Sequence, residues 1–220
     1  SAKFGKMTIS ATGDFTNSGT IDSSSELLKI TAKSITTSGE IKANSGEFIS
    51  TESDILFAAN SASTFIAGLT VTSAGNFENY GTITAYEVEI EATGNFKNEG
   101  SFISENGEIS ITSASFENSQ SSELSAKFGK MTIIATGDFT NAGAITAYGI
   151  EIVATGNFKN EGSFTSKNGE ISITSANFEN AQSSELSAKF GKMTISATGD
   201  FTNAGNITAP EVEIGATGDF

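Results

Sequence analysis

Hydrophobic and polar residues alternate along this chain with a period of two. The alternation is clear in residues 7–11 (MTISA), 88–92 (VEIEA), 109–113 (ISITS) and 212–216 (VEIGA). A period of two predicts β-strands with one buried face. No window has apolar residues at the three-and-four spacing of a helix, and Gly, Ser, Thr and Asn interrupt the pattern every six to eight residues. The sequence therefore predicts an all-β fold.

Phenylalanine and isoleucine mark a longer repeat of 19 to 23 residues. The members of this apolar column are Phe15, Ile35, Ile55, Phe77, Phe96, Phe116, Phe139, Phe158, Phe178, Phe201 and Phe220. An asparagine follows two residues later in eight of ten complete cases, and the ten residues at that position are Asn17, Thr37, Phe57, Asn79, Asn98, Asn118, Asn141, Asn160, Asn180 and Asn203. We expect the rings to stack in the core and the amides to form a ladder between turns.

Short strands in turns of this length predict a parallel β-helix, a solenoid with about eleven turns of ~20–21 residues and three short strands in each turn. In residues 12–21, Gly13 and Gly19 would form corners, and Phe15, Asn17 and Ile21 would point inward. The glycines would supply corners with positive φ. At ~4.7–4.9 Å per turn, the rod would be on the order of 50 Å long.

The turns are grouped in a still longer period of 62 residues. The string SAKFGKMTI occurs at residues 1–9, 125–133 and 187–195, and a diverged copy fills residues 63–71. We interpret residues 1–220 as a single continuous repeat array with units 1–62, 63–124, 125–186 and 187–220, the last one partial. The array is expected to be a piece of a longer chain.

The first unit is the least regular, and its third turn aligns with the others only after a one-residue shift. This alignment places Ser50 in the inward column of Ile111 and predicts a β-bulge. It also gives an outward column, in which acids occur only every third turn: Thr8, Lys29, Ile49, Thr70, Glu89, Ser110, Thr132, Glu151, Ser172, Thr194 and Glu213.

Composition limits the partners of the chain. The formal net charge is −14, and the chain contains neither histidine nor arginine. Nucleic acid is therefore not an expected partner, because nucleic-acid binding depends on basic groups that contact phosphate. There is no cysteine and hence no disulfide. No apolar run approaches the ~20 residues of a membrane span, so membrane insertion is not expected.

Carboxylates are the candidate catalytic groups of this chain. Glu87, Glu89 and Glu91 alternate on one face, as do Glu211 and Glu213. Two carboxylates are enough for a glycosidase, but these recur with the array, which is typical of a solvated face. We predict that the chain is not an enzyme and has no catalytic, cofactor-binding or metal-binding residues.

Two weaker patterns were considered. The string TGD begins at Thr12, Thr136, Thr198 and Thr217, and calcium prefers oxygen ligands. Asp alternates with Asn at this position, so capping of a corner is the favoured interpretation. The tyrosines are Tyr80, Tyr86 and Tyr148, and their expected role is to shield a corner, with stacking on glycans as the alternative.

The repeats GDFTNSGTI (13–21), GNFENYGTI (75–83), GNFKNEGSF (94–102) and GDFTNAGAI (137–145) resemble those of filamentous haemagglutinin-like exoproteins. These are large bacterial adhesins and contact-dependent inhibition proteins that are exported by two-partner secretion. The resemblance implies a right-handed parallel β-helical shaft at the bacterial cell surface, extracellular, which projects an adhesive or toxic module. Any receptor would bind modules outside this segment.

Two alternatives remain open. One is a filament subunit that joins end to end with copies of itself through unpaired strands. The other is a carbohydrate-binding or polysaccharide-cleaving β-helix, which would have one cleft that does not repeat.

Overall fold

The protein is an all-β parallel solenoid in a computed structural model that describes residues 5–220. These residues contain 27 strands and no helix, so no helical segment of the described chain can span a membrane. The strands form one sheet of 17 strands and one of ten, and every pairing is parallel. The predicted all-β fold and parallel β-helix are confirmed, whereas the right hand of the coil stays a prediction.

The ten-stranded sheet contains one three-residue strand from each turn. Its strands are β2 (Phe15–Asn17), β4 (Ile35–Thr37), β6 (Ile55–Phe57), β8 (Phe77–Asn79), β10 (Phe96–Asn98), β13 (Phe116–Asn118), β16 (Phe139–Asn141), β19 (Phe158–Asn160), β22 (Phe178–Asn180) and β25 (Phe201–Asn203). The solenoid thus has ten turns, and Phe220 begins an eleventh by stacking on Phe201 with a centroid distance of 4.7 Å.

The larger sheet differs along the rod. Residues 20–92, the long-strand region, contribute β3 (Thr20–Ala32), β5 (Glu40–Ser50), β7 (Ala62–Ser73) and β9 (Thr82–Ala92). Residues 93–216, the short-strand region, contribute β11 (Ser101–Ser104), β12 (Ile109–Ser113), β14 (Glu123–Ala126), β15 (Met131–Ala135), β17 (Ala144–Ala147), β18 (Ile150–Ala154), β20 (Ser163–Ser166), β21 (Ile171–Ser175), β23 (Glu185–Ala188), β24 (Lys192–Ala197), β26 (Asn206–Thr208) and β27 (Glu211–Ala216). Strand β1 (Met7–Ser10) precedes both regions. The prediction of three strands per turn therefore holds only for the short-strand region.

The apolar column and the asparagine column both lie in the ten-stranded sheet. Each residue of the apolar column pairs with the next, from Phe15 opposite Ile35 to Phe178 opposite Phe201. From Phe77 to Phe201, successive rings are stacked with centroids 4.6–5.4 Å apart and planes within 11°. The predicted ring stack is confirmed there, and offset stacking of this kind adds to the burial of the rings.

The predicted amide ladder is also confirmed from Asn79 to Asn203. Each side-chain Nδ2 donates to the Oδ1 of the asparagine in the next turn, at 2.8–2.9 Å. The ladder is interrupted in the long-strand region, where Thr37 and Phe57 occupy the column. Because an unpaired buried amide costs ~1–3 kcal/mol, the ladder favours the register in which every turn is aligned.

The alignment of the third turn was wrong by two residues. Glu47, not Ile49, lies between Lys29 and Thr70 in the outward column, and Phe48 fills the inward position given to Ser50. Ser50 instead lies opposite Ala32. Acids therefore do not occur only every third turn, because Glu47 adds one and forms an ion pair with Lys29.

The predicted bulge in the third turn is present and has two neighbours. The register shifts between Ala43 and Ser45 where β5 pairs with β7. It also shifts where β3 pairs with β5 and where β7 pairs with β9. The long strands thus pass through a corner by means of bulges, which bend a strand without ending it.

The sequence predicted that the corner glycines adopt positive φ, and this prediction was wrong. Among the described glycines only Gly5 has a φ in that range, at 127°. The cause is close stacking, since a Cβ on Gly162 would lie 2.1 Å from the backbone oxygen of Gly143. The glycines remove side chains from corners where one turn lies directly on the next.

Residues 1–4 lie outside the described part of the chain, so the first copy of SAKFGKMTI is seen only from residue 5. The division into 62-residue units stays a prediction.

Candidate functional site

The TGD corner forms a second ladder, on the outside of the rod. Asp138 Oδ1 accepts the backbone N–H of Asn157 at 2.7 Å, and Asn177 Oδ1 accepts that of Asp200 at 2.8 Å. Asp200 Oδ1 accepts the N–H of Asp219 at 2.9 Å. The side-chain oxygens thus cap the backbone of the following turn, which is the corner-capping role predicted from the alternation of Asp and Asn.

This arrangement leaves the corner carboxylates engaged with amide or hydroxyl hydrogens. Asp54 Oδ1 accepts the Asn76 N–H at 2.6 Å, and Asp14 Oδ1 accepts the Ser34 hydroxyl at 2.7 Å. No group of three or more His, Cys, Asp or Glu side chains that could hold a metal ion occurs among residues 5–220. The prediction that this corner has no metal site stays a prediction.

The carboxylates Glu87, Glu89 and Glu91 lie on β9, and all three are exposed. Glu87 and Glu89 line a shallow hollow of 230 Å³ together with Glu108. None of the ion pairs found in residues 5–220 involves Glu87, Glu89 or Glu91. The arrangement is a row of solvated acids beside the hydroxyl groups of neighbouring turns.

Glu211 and Glu213, the second carboxylate pair, share one cation. Lys192 Nζ lies 3.1 Å from Glu211 and 2.6 Å from Glu213. The hydrogen bond from Lys192 lowers the pKa of the Glu213 carboxyl from its ordinary value. The same contacts, that with Glu213 first, raise the pKa of Lys192. A carboxyl with a lowered pKa stays ionised, so Glu213 is unsuited to the role of a general acid.

A hollow of 380 Å³ on the ten-stranded sheet lies beside Lys159, Glu179 and Asp200. A hollow of 110 Å³ beside Lys97 and Glu117 occupies the same place three turns earlier. Both hollows lie between the ladder of corner Asp and Asn side chains and the outward-facing middle residues of strands in the ten-stranded sheet. The described surface of this sheet thus repeats between these two places.

The three tyrosines differ in their surroundings. Tyr80 donates a hydrogen bond to Glu78 at 3.1 Å, and its pKa is raised, first by burial and then by that contact. Tyr86 and Tyr148 lie at one corner with 46% and 48% of their surface exposed. Their backbone oxygens accept the N–H groups of Asn106 and Asn168 in the next turns, at 3.3 and 3.1 Å. The tyrosine backbone therefore shapes the corner, and the rings are free to contact other molecules.

Sequence reasoning missed that this corner carries further apolar residues. Phe128 and Phe190 are 69% and 74% exposed, and Ile66 is 60% exposed. We call this edge the aromatic corner; its residues, one from each turn, are Ile66, Tyr86, Asn106, Phe128, Tyr148, Asn168, Phe190 and Pro210. The sequence signal for this corner is the repeated KFGK at 127–130 and 189–192, in which a phenylalanine lies between two lysines and next to a glycine.

Comparison with known proteins agrees with the architecture. A family model described as haemagglutinin repeat matches residues 5–100, 129–162 and 165–207, which together exceed half of the chain. Searches of curated proteins and of solved structures gave no significant match. With its stacked Phe-x-Asn strands and a family match that extends over most of the rod, this chain belongs to the haemagglutinin repeat family and is a filamentous haemagglutinin-like repeat protein.

Proposed function

We propose that the chain is a non-catalytic shaft segment of a secreted bacterial surface adhesin, whose task is to hold another module at a distance from the cell. The adhesin-type repeat shaft follows from the family and the solenoid fold. Its extracellular location agrees with a family that is typically secreted or displayed at the cell surface. The absence of catalysis is our inference and agrees with the structural character that is general in the family.

The observation that carries the proposal is the continuous register of the ten-stranded sheet. Ten strands from ten successive turns pair in parallel without a shift, from Phe15–Asn17 to Phe201–Asn203. Backbone hydrogen bonds, stacked rings and the amide ladder all join one turn to the next. Bending the rod would have to strain all three at once, so we expect the segment to be stiff.

The repetition of the surface supports a structural role over an enzymatic one. A catalytic site needs a particular arrangement of groups at one place. Here the hollow beside Lys159 recurs beside Lys97, and Glu213 is held by a lysine. A net charge of −14 keeps such a rod soluble and disfavours nucleic acid as a partner.

Removal of one unit tests the role as a length-setting shaft. Deletion of residues 125–186 joins Leu124 to Ser187, which follows Leu186 in the same local sequence, so the register should be kept. We expect the maximum dimension in small-angle X-ray scattering to fall by about 14 Å, which is three turns at the strand spacing. The β signal in circular dichroism should persist. An unchanged dimension, or collapse of the rod into a compact particle, would contradict the proposal.

The filament-subunit alternative predicts a different behaviour. Rods joined end to end would lengthen as the protein concentration rises, whereas a shaft segment keeps the length set by its chain. Electron microscopy of the native material over a range of concentrations separates the two.

The carbohydrate alternative is tested by incubation with polysaccharides. Release of reducing ends that is abolished by Glu89→Gln would favour a polysaccharide-cleaving β-helix and would contradict the non-catalytic shaft.

A further inference from the structure

The aromatic corner exposes more apolar surface than the fold requires. It contains five of the eight large apolar side chains that are exposed in residues 5–220: Ile66, Tyr86, Phe128, Tyr148 and Phe190. The same position is occupied by Asn106, Asn168 and Pro210 in other turns, so the solenoid can form with polar or small residues there. Exposed apolar side chains grouped along one edge in this way mark a candidate site of interaction, although Asn106 and Asn168 divide the group.

The charges beside this stripe are balanced, unlike those of the whole chain. Five lysines and five glutamates flank it: Lys127, Lys130, Lys167, Lys189, Lys192, Glu87, Glu105, Glu108, Glu170 and Glu211. Their sum is zero, whereas the chain carries −14. The long-range repulsion between two of these rods is therefore reduced at the aromatic corner.

One charge is reversed between two equivalent turns, so the two halves of the stripe differ in charge. Residues 101–113 and 163–175 occupy equivalent turns and are nearly identical, but Glu105 in the first is replaced by Lys167 in the second. In residues 5–220 Lys167 has no ion pair, whereas Glu105 lies 2.7 Å from Lys127. The two halves of the stripe thus present opposite charges at the same place on the corner, Glu105 in its third turn and Lys167 in its sixth.

From these features we infer that the aromatic corner is a docking surface for a second copy of this chain, with the two rods antiparallel. The two-fold axis crosses the rods between Phe128 and Tyr148. Phe128 then faces Tyr148 of the other copy, and Tyr86 faces Phe190. Such an interface is isologous, so every contact occurs twice.

The charges favour this orientation over a parallel one. A two-fold axis across the rods keeps each side chain on its own flank of the stripe, so Glu105 faces Lys167 and Glu87 faces Lys192. The antiparallel arrangement also brings one pair of like charges together, Glu108 and Glu170. In a parallel pair in register, the two-fold axis runs along the rods and exchanges the flanks. Like charges then meet in three turns (Glu105 with Glu108, Lys127 with Lys130, Lys189 with Lys192) and opposite charges in one (Lys167 with Glu170), and like charges in contact are unfavourable.

The small area of the stripe should make the contact between two copies weak. From Ile66 to Pro210 it extends over seven turn spacings, about 34 Å. A stripe one side chain wide covers less than the ~800 Å² per partner of a standard interface. Antiparallel pairing is also the orientation in which shafts projecting from two facing surfaces would meet; this consequence rests on the proposed function, but the pairing does not.

Sedimentation velocity at concentrations up to about 1 mM tests the docking surface. We expect concentration-dependent dimers that become at least tenfold weaker in Phe128→Ser/Phe190→Ser. The matched control is Asn106→Ser/Asn168→Ser, which changes the same corner but no aromatic residue and should pair as the wild type does. Circular dichroism should show that both variants are folded, since all four side chains are exposed. A monomer at every concentration, or an equal loss in the control, would overturn the inference.

The orientation is tested by charge exchange and cross-linking. Glu105→Lys and Lys167→Glu should each weaken pairing, and the double variant should restore it. Because the chain has no cysteine, Asn106→Cys and Asn168→Cys place unique thiols on the stripe. In a mixture of the two, a short bis-maleimide should link position 106 to position 168 more than either position to itself. Predominant links between identical positions would overturn the antiparallel arrangement, and end-to-end joining would give neither product. None of these outcomes alters the test of the shaft by deletion of residues 125–186.

Discussion

The long-strand region and the short-strand region turn the same corner in different ways. In residues 20–92 the strands of the larger sheet are 11–13 residues long and pass through the corner with bulges. In residues 93–216 each such strand is divided into two strands of three to six residues, and glycines such as Gly107 and Gly129 lie at the break. Both solutions keep the parallel pairing of the sheet.

The packing of the core also differs between the long-strand region and the short-strand region. In the short-strand region the rings stack, as for Phe139 and Phe158 at 5.0 Å and 6°. In the long-strand region Phe48 meets Phe57 and Phe65 at 61° and 82°. The amide ladder is also interrupted there, at Phe57. The register of the ten-stranded sheet is unshifted in both regions, so the difference arises from the residues in the columns. Identical Phe and Asn residues stack or exchange amide bonds, whereas Ile35, Ile55 and Phe57 interrupt both columns.

The largest expected effect comes from a gap in the ring column of the short-strand region. Phe158→Ala removes a buried ring that lies 5.0 Å from Phe139 and 5.1 Å from Phe178. We expect the free energy of unfolding, measured by denaturant titration, to fall by ~3–5 kcal/mol. Phe190→Ala, at an exposed ring, is the control and should stay within ~0.5 kcal/mol of the wild type. Equal effects of the two changes would contradict the core role of the column.

A methyl group at the glycine corner tests the difference in how the two regions turn. In Gly129→Ala the new Cβ would lie 1.9 Å from the backbone oxygen of Gly107. Because the backbone must move, we expect the free energy of unfolding, measured by denaturant titration, to fall by about 3 kcal/mol, the upper part of the usual range for overpacking.

The matched change in the long-strand region is Gly68→Ala. The new Cβ would lie 3.1 Å from the Cγ of Glu87, its nearest neighbour, and the exposed Glu87 side chain can move. The melting temperature should therefore change little. A similar loss at Gly68 and Gly129 would mean that the two corners are packed alike.

The amide ladder should give the next smaller effect. Asn160→Ala breaks the bonds with Asn141 and Asn180, each 2.9 Å long, and leaves a buried donor and a buried acceptor with fewer partners. We expect a loss of ~1–3 kcal/mol in the free energy of unfolding. Thr132→Ala, on the outer face, should be nearly neutral, and equal melting temperatures for these two variants would argue against the inward ladder.

The smallest effect should come from the exposed charges at the end of the short-strand region. Lys192 lowers the pKa of the Glu213 carboxyl below its ordinary value of 4.5, so the stabilisation is present above that pH and is lost as the pH falls through the lowered pKa. In Lys192→Met the carboxyl titration of Glu213, followed by NMR, should move upward. The melting temperatures of variant and wild type should differ above that pH and converge in acid. An unmoved titration would show that the ion pair is not formed in solution.

The sequence alone predicted the columns because their period is set by residues that repeat. Phe158 and Asn160 lie two residues apart in a strand, so both point inward, and identical neighbours in register can stack or exchange amide bonds. The family resemblance followed from the same repeats. The corner-capping role of Asp138 could also be predicted, because Asn replaces Asp at that position in other turns.

The register of the third turn could not be predicted, and the reason is the period of two itself. A slip of two residues exchanges Ile49 for Glu47 and Ser50 for Phe48 yet keeps the alternation of inward and outward positions. Only the packing of Phe48 against Phe57 and Phe65 fixes the alignment.

The sequence by itself determined that this chain is a parallel solenoid with a core of stacked rings and amides, because a local pattern repeated in register specifies its own neighbours. Tertiary structure alone decided where the bulges lie, why glycines occupy the corners, and which aromatic residues remain outside. Phe128 and Phe158 are both phenylalanines in repeating strings, but Phe158 is fully buried and Phe128 is mostly exposed. The difference arises because a side chain at a corner points away from both sheets, and that direction depends on where the strand before it ends.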